Sequence, residues 1–343
     1  MSTTGPAGML VSAGSRVRVE AGRRPWLDDV AAAAGVSALA PASSDTAYDV
    51  RLVLERSREP FEPGARLVTR GVSVAADGTT TIDDVGGSGY DQQWSSAGDA
   101  LVVRTRWRPA PAALAARHAL PTRFRALRGQ VLLHHPVLWW AAVRGLAPLH
   151  ASVLEIDGTA VLLAGPGGVG KSSLVARELF AGGRAVCDNL AVSDGTTTFG
   201  VAEPLKLPLA AGSRGDGPVA PHGRRERPWP ERLSALRPQL VVVLRRGDAA
   251  SPTVRPTTAA AACRELVAGT FTAGELRRFW PLAASLALAT DRGPALPPVE
   301  VVAARMIQDL PCVEVRLGRV PADPLRDLLL DQLGALPVAG ARS

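Results

Sequence analysis

Short runs of β-forming residues, separated by Gly and Asp-Gly pairs, dominate the first third of the chain. After a loose start the pattern predicts a strand at Ser15–Ala21 and a short helix at Trp26–Ala34. Four more strand segments follow, at Tyr48–Arg56, Arg66–Ala75, Thr79–Val85 and Asp99–Trp107. Arg51-Leu52-Val53-Leu54 and Leu101-Val102-Val103 are their densest parts, and a small antiparallel sheet is the expected product. From Ala110 to Arg144 the period lengthens. Leu127, Val131, Leu132 and Leu138 fall on one helical face, with Pro121 and Pro136 as interruptions. Trp139 and Trp140 close this stretch and are expected to pack where it meets the rest of the protein.

Beyond residue 146 strands and helices alternate. Leu149–Ile156 reads as one strand, Asp157-Gly158 as a two-residue turn and Thr159–Ala164 as the returning strand. A glycine-rich segment leads into a helix to about Leu179, ended by Gly182-Gly183. Arg184–Val192 is a second apolar strand. Residues 208–231, dense in Gly, Pro and Arg, read as a mobile loop. A strand at Leu240–Arg245, helices near Thr257–Ala268, Ala273–Thr290 and Val299–Gln308, a strand at Cys312–Leu317 and a helix from Asp323 complete the pattern. No internal repeat is present. The fold class is α/β, and 343 residues allow two domains at about 150 residues each.

Composition narrows the function classes. At 46% apolar and 21% charged residues the chain is globular rather than disordered. Three scattered cysteines cannot build a disulfide framework or a zinc cluster, which fits a reducing compartment. The densest apolar stretch, Val137–Val143, is far short of the ~20 residues of a membrane span. The N-terminus lacks the basic-then-apolar order of a signal peptide, so a cytoplasmic protein without a membrane partner is expected. Net charge is +7, but the arginines are spread along the chain without interleaved aromatics, which argues against specific nucleic-acid binding. Only two of the 39 basic residues are lysines, Lys171 and Lys206.

One of those lysines lies in the most informative segment. Gly165-Pro166-Gly167-Gly168-Val169-Gly170-Lys171-Ser172, followed by Ser173, satisfies G-x-x-x-x-G-K-[ST] between an apolar strand and a helix. Glycines let successive backbone N–H groups turn inward around phosphate oxygens, and the helix aims its positive end at the same place. Lys171 adds a compact charge for the outer phosphates of ATP, and the Ser172 hydroxyl suits Mg²⁺. Asp188, near the end of the next apolar strand, is the expected carboxylate partner of that Mg²⁺. Its neighbour Cys187 faces the opposite side and is expected in the core.

The order Leu149-His150-Ala151, hairpin, Gly165–Ser172, Gly182-Gly183 and Asp188-Asn189 resembles the HPr kinase/phosphorylase catalytic domain, a cousin of the phosphoenolpyruvate carboxykinases. About 45 residues carry the resemblance, which extends weakly toward the C-terminus and is similar to divergent members found beside modified-peptide biosynthesis genes. The residue pattern gives a β-rich region with a junction helix over residues 1–145, and the resemblance implies a nucleotide-binding domain over 146–343. It also implies that His150 and Asp188 sit beside the terminal phosphate and handle the acceptor's proton, and that the chain forms a homo-oligomer, since the family often forms hexamers. Asn189 departs from the family's second Asp, because an amide neither takes a proton nor offers charge to Mg²⁺. Glu203, just ahead of Pro204-Leu205-Lys206, is the candidate replacement and the third catalytic residue.

Two functions fit these residues. One is an ATP-dependent phosphotransferase acting on a Ser or Thr hydroxyl of a peptide or protein, with a place in peptide natural-product biosynthesis. The other is a catalytically quiet relative that recognises a ribosomal precursor peptide and presents it to partner enzymes, which Asn189 and the large N-terminal region favour.

Overall fold

The N-terminal region builds β1 (Ala7–Ser12), β2 (Ser15–Ala21), α1 (Arg24–Ala34), β3 (Ala40–Pro41), β4 (Val50–Glu55), β5 (Arg66–Thr69), β6 (Val72–Val74), β7 (Thr80–Ile82), β8 (Tyr90–Ala97) and β9 (Ala100–Trp107). These nine strands form one sheet in the order β3-β1-β2-β4-β9-β8-β7-β6-β5. It is larger than the small sheet expected from sequence, and it is mixed: β2 with β4 and β4 with β9 run parallel. Crossing through α1 returns the chain in the direction a parallel neighbour needs. The loose start contains β1, which turns into β2 at Ala13-Gly14 with both residues at positive φ. Arg66–Ala75 is not one strand but the β5–β6 hairpin. Gly71, at φ 74°, supplies its turn.

Next come α2 (Pro111–Ala119), α3 (Pro121–Gly129), a π-helical turn at Gln130–His134 and α4 (His135–Val143). Pro136 does not interrupt this helix as expected. Its ring would crowd the carbonyl four residues back, and the wider turn, with His135 N–H donating to Gln130 O, accommodates it. Trp139 and Trp140 are buried, as expected, in a core shared by Val17, Val19, Leu52 and Val103 of the nine-stranded sheet and by Leu190 and Val192 from the second half.

The second half builds β10 (Ala147–His150), β11 (Ser152–Ile156), β12 (Thr159–Ala164), α5 (Lys171–Phe180), β13 (Arg184–Cys187), β14 (Leu190–Ser193), β15 (Thr198–Gly200), β16 (Leu205–Pro208), β17 (Val219–Ala220), β18 (Arg224–Arg227), β19 (Ala235–Leu236), β20 (Leu240–Arg246), β21 (Thr253–Pro256), α6 (Ala259–Thr272), α7 (Phe279–Thr290), α8 (Val299–Ile307), β22 (Cys312–Leu317) and α9 (Leu325–Gly334). The structure, a computed structural model, describes residues 5–43, 45–208, 218–220, 223–318 and 324–334. Six strands form a mixed sheet, β13-β11-β12-β20-β22-β21, in which β20 lies parallel to both β12 and β22. Four form β10-β14-β15-β19, and three form β16-β18-β17. The chain is thus an α/β protein of several sheets.

Two expected strands are each divided. Leu149–Ile156 breaks at Ala151, so β10 and β11 belong to different sheets. Arg184–Val192 breaks at Asp188-Asn189 in the same way. The Asp157-Gly158 turn is as expected, with φ of 49° and 79° joining β11 to β12. Residues 208–231 are not simply a loop, because β18 pairs there with both β16 and β17. Residues 209–217 and 221–222 of that stretch lie outside the described residues, as does Asp323. Among the described residues no helix is long and apolar enough to cross a membrane.

Candidate functional site

The glycine-rich segment leaves the C-terminal end of β12 and enters α5 at Lys171. Gly165, Gly168 and Gly170 have φ of 144°, 80° and 128°, which side chains with a Cβ rarely adopt. At Gly165 a Cβ would also stand 2.7 Å from Leu244 O. Gly167 and Gly168 are exposed at the mouth of the loop, while the Val169 side chain is buried in the core and pins it. The first turn of α5 carries no acidic residue, so its free N–H groups face no built-in anion. Ser173 is half-buried in that turn.

Lys171 is 5% exposed, and its Nζ donates to Gly165 O at 2.7 Å and Pro166 O at 3.2 Å. Burial lowers its pKa to about 8, with Glu275 opposing and the like charge of Arg224 assisting. The Ser172 hydroxyl accepts from Arg224 Nη1 at 3.1 Å. His150 closes β10 beside the loop. Its backbone N–H donates to Thr270 Oγ1 at 3.0 Å, and its Nδ1 lies 3.1 Å from Gly269 O. A carbonyl accepts only, so Nδ1 carries the proton and Nε2 keeps a lone pair. Burial, assisted by the Lys171 charge, lowers the imidazole pKa to about 4. His150 is therefore neutral at pH 7.

Asp188 follows β13 directly and is fully buried. Its Oδ2 accepts from the Lys206 backbone N–H at 3.3 Å, and Oδ1 has no hydrogen-bond partner. Burial and then the nearby Glu203 raise its pKa to about 7 against the pull of Lys206. An orphaned carboxylate oxygen is costly in a core and marks a place where a proton or cation is wanted. Asn189 turns its amide nitrogen to Glu203 Oε2 at 3.1 Å. Glu203 also accepts from Leu190 N–H at 2.8 Å and Lys206 Nζ at 3.1 Å, so both its oxygens are engaged. Lys206 makes a second ion pair with Glu275 at 3.5 Å. Burial alone would raise the Glu275 pKa, but Lys206 above all drives it down to about 2. The same carboxylates hold the Lys206 pKa above its ordinary value despite burial. Cys187 is buried in the core as expected, and burial pushes its thiol pKa up.

No family model matches the sequence, and no curated protein matches it. Among solved structures, the Hpr(Ser) kinase/phosphatase from Coxiella burnetii is similar at 18% identity and a TM-score of 0.23, over 32% of this chain and 76% of that one. The chemistry of the site rests on its own residues.

All the candidates read from sequence, His150, Gly165 to Ser173, Asp188 and Glu203, line one region with Lys206. Three groups beside them carry no signal in the sequence: Arg224 on β18, Glu275 after α6, and the Gly269-Thr270 step of α6 that holds His150. Among the described residues no three His, Cys, Asp or Glu side chains converge on a metal position. That donor set disfavours a caged transition metal. Ser172 and the unpaired Oδ1 of Asp188 fit Mg²⁺, which takes one or two carboxylates and completes its shell with phosphate and water oxygens.

Proposed function

We propose that the protein is an HPr-kinase-like phosphotransferase that moves the terminal phosphoryl group of ATP to a Ser or Thr hydroxyl of a peptide or protein. The observation that carries this reading is the orphaned, fully buried Asp188 carboxylate facing Ser172 at the end of a glycine loop built for phosphate. Backbone amides of Gly165 to Ser173 and Lys171 hold the phosphates in register. Ser172 and Asp188 would hold Mg²⁺, which would neutralise charge on the transferring group. His150 presents the Nε2 lone pair that orients the acceptor O–H. The acceptor oxygen forms a bond to the γ-phosphorus while the bond to the bridging oxygen breaks. ADP keeps the electron pair, and the hydroxyl proton passes to the Asp188 carboxylate, which has an oxygen without a hydrogen-bond partner. Glu203, with its oxygens filled, positions Asn189, Leu190 and Lys206.

Single-turnover assays with ATP, Mg²⁺ and a Ser/Thr peptide library test this. Wild type should form phosphopeptide, and Asp188→Asn should lose about 10²-fold or more in rate while still binding ATP. Asn189 favours one other reading, a quiet peptide-binding protein, and ATP binding with no phosphopeptide from any library member would select it. A wild-type protein that binds no nucleotide would remove both.

A further inference from the structure

We propose that Arg224 is a contact for the terminal phosphate, leaving Ser172 and gripping that phosphate when a triphosphate binds. This rests on the nucleotide-phosphate reading above and adds a recognition residue that the glycine-loop pattern does not contain.

Arg224 reaches the loop from outside the motif. It opens β18, the central strand of the three-stranded sheet, and lies opposite Pro208 of β16 and Ala220 of β17. The one hydrogen bond of its side chain among the described residues goes to the Ser172 hydroxyl. That hydroxyl stands at the outer end of the glycine loop, where with Asp188 it would hold Mg²⁺ beside the terminal phosphate. A guanidinium offers five donors in a planar fork that matches phosphate oxygens two at a time, and here one donor is used on a neutral acceptor.

The charge balance points the same way. Among the described residues, neither Arg224 nor Lys171 has a carboxylate within ion-pair distance; the two cations repel each other, and Glu275 and Asp188 attract Lys171 only from beyond that distance. Among the other basic side chains of this half, Lys206 is paired with Glu203 and Glu275 and Arg245 with Glu265 and Glu314, whereas Arg246, which donates to Gly168 O of the loop at 2.9 Å, shares the carboxylate-free setting among the described residues. Two adjacent cations held only on carbonyl and hydroxyl oxygens leave positive charge for an anion to neutralise. The orphaned Oδ1 of Asp188 beside Ser172 calls for a bound cation or proton at the same spot, as a magnesium–phosphate ligand provides.

The strap carrying Arg224 is tied down beyond it. Arg125 of α3 donates to Glu226 Oε2 at 3.0 Å and to Val219 O at 2.7 Å. Trp229 donates from Nε1 to Glu203 O at 2.7 Å and from its backbone to Gly35 O at 3.1 Å. The backbone is thus held while the long arginine side chain is free to change partners.

Calorimetric titration of the full chain with MgATP, MgADP and magnesium tripolyphosphate tests the assignment on wild type, Arg224→Gln, Arg224→Lys and Lys171→Ala. Arg224→Gln keeps a donor for Ser172 and should fold. It should weaken ATP and tripolyphosphate about tenfold or more and ADP less than threefold, with Arg224→Lys in between. Lys171→Ala should weaken all three ligands. Equal losses for ATP and ADP in Arg224→Gln, no loss, or tighter ATP binding would each overturn the role of Arg224 and leave the phosphate site standing. Wild type binding none of the three would overturn both.

Discussion

Replacing Asn189 by Asp puts back the carboxylate that the resemblance leads one to expect, and the structure says the protein should not tolerate it well. The amide must turn its NH₂ toward Glu203, because its oxygen would repel the carboxylate. An Asp at that position sets two carboxylate oxygens about 3.1 Å apart in a buried pocket that already contains Asp188. At an effective dielectric of about 20, two unit charges at that distance repel by about 5 kcal/mol. Rearrangement, or uptake of one proton by the pair, relieves part of this. The lost charge-assisted hydrogen bond adds about 1.5–3 kcal/mol, so a net destabilisation of about 2–4 kcal/mol is expected.

Glu203→Gln alone should cost about 1–3 kcal/mol, since it sets two amide NH₂ groups against each other and leaves Lys206 only Glu275 at 3.5 Å. Combining the substitutions recreates one amide and one carboxylate with their places exchanged. The amide now at position 203 still accepts from Leu190 N–H, and the carboxylate now at position 189 faces Lys206. The double variant should therefore recover most of the loss, with a coupling energy of about 2 kcal/mol or more. Urea denaturation of the four proteins at pH 7 measures it. Asn189→Asp as stable as wild type, or a coupling energy near zero, would refute the view that Asn189 and Glu203 share one negative charge by design. On the same argument Asn189→Asp should not speed phosphoryl transfer, because Glu203 already fills that place.

Lys171→Ala should retain the fold and lose roughly 2–4 kcal/mol of ATP affinity by calorimetry, and Lys171→Arg should also bind poorly because a planar fork does not fit the Gly165–Pro166 carbonyl turn. Equal affinity in all three proteins would place the nucleotide elsewhere. His135 gives a pH prediction: its two ring nitrogens are buried without partners, and burial lowers its pKa to about 3. The unfolded chain, with a His near 6.5, then binds more protons below that pH, so stability is full above about pH 6.5 and falls as pH drops toward 3. His135→Leu should flatten this dependence by about 2 kcal/mol between pH 6.5 and 5, read from urea midpoints, and a slope equal to wild type would show that His135 is not kept neutral.

What local sequence can reveal depends on how far apart the cooperating residues lie. Glycine spacing, a lysine in a chain almost without lysines, and an Asp ending an apolar run are local signals, and Lys171, Ser172 and Asp188 are all found together. Nothing near Glu275 or Arg224 predicts their place, because α6 and β18 bring them in by packing. The polar strand β8, with the sequence YDQQWSSA, has no apolar run to announce it, although Trp94 anchors it in the core. A clue to the divided strands is present in Asp188-Asn189, since both residue types are depleted in strands and here interrupt an otherwise unbroken apolar stretch.

That interruption explains why the site lies where it does. The chain leaves one sheet for the other at Ala151 and again at Asp188-Asn189, so β10 and β14 pair on one side and β11 and β13 on the other. At both crossings ladder hydrogen bonds stop and side chains take over: Ser152 Oγ donates to Asp188 O at 2.7 Å, and Cys187 Sγ to Ala151 O at 3.5 Å. A seam between sheets is one of the few places where polar side chains can turn inward from strands without losing a backbone partner. His150, Asp188 and Asn189 occupy this seam, and β12, the neighbour of β11, ends in the phosphate loop alongside. A single continuous strand at Leu149–Ile156 or Arg184–Val192 would have spent those positions on alternating core residues. The two breaks make the pocket, and Lys206 fills it with ion pairs to Glu203 and Glu275 that let so many ionisable groups be buried together.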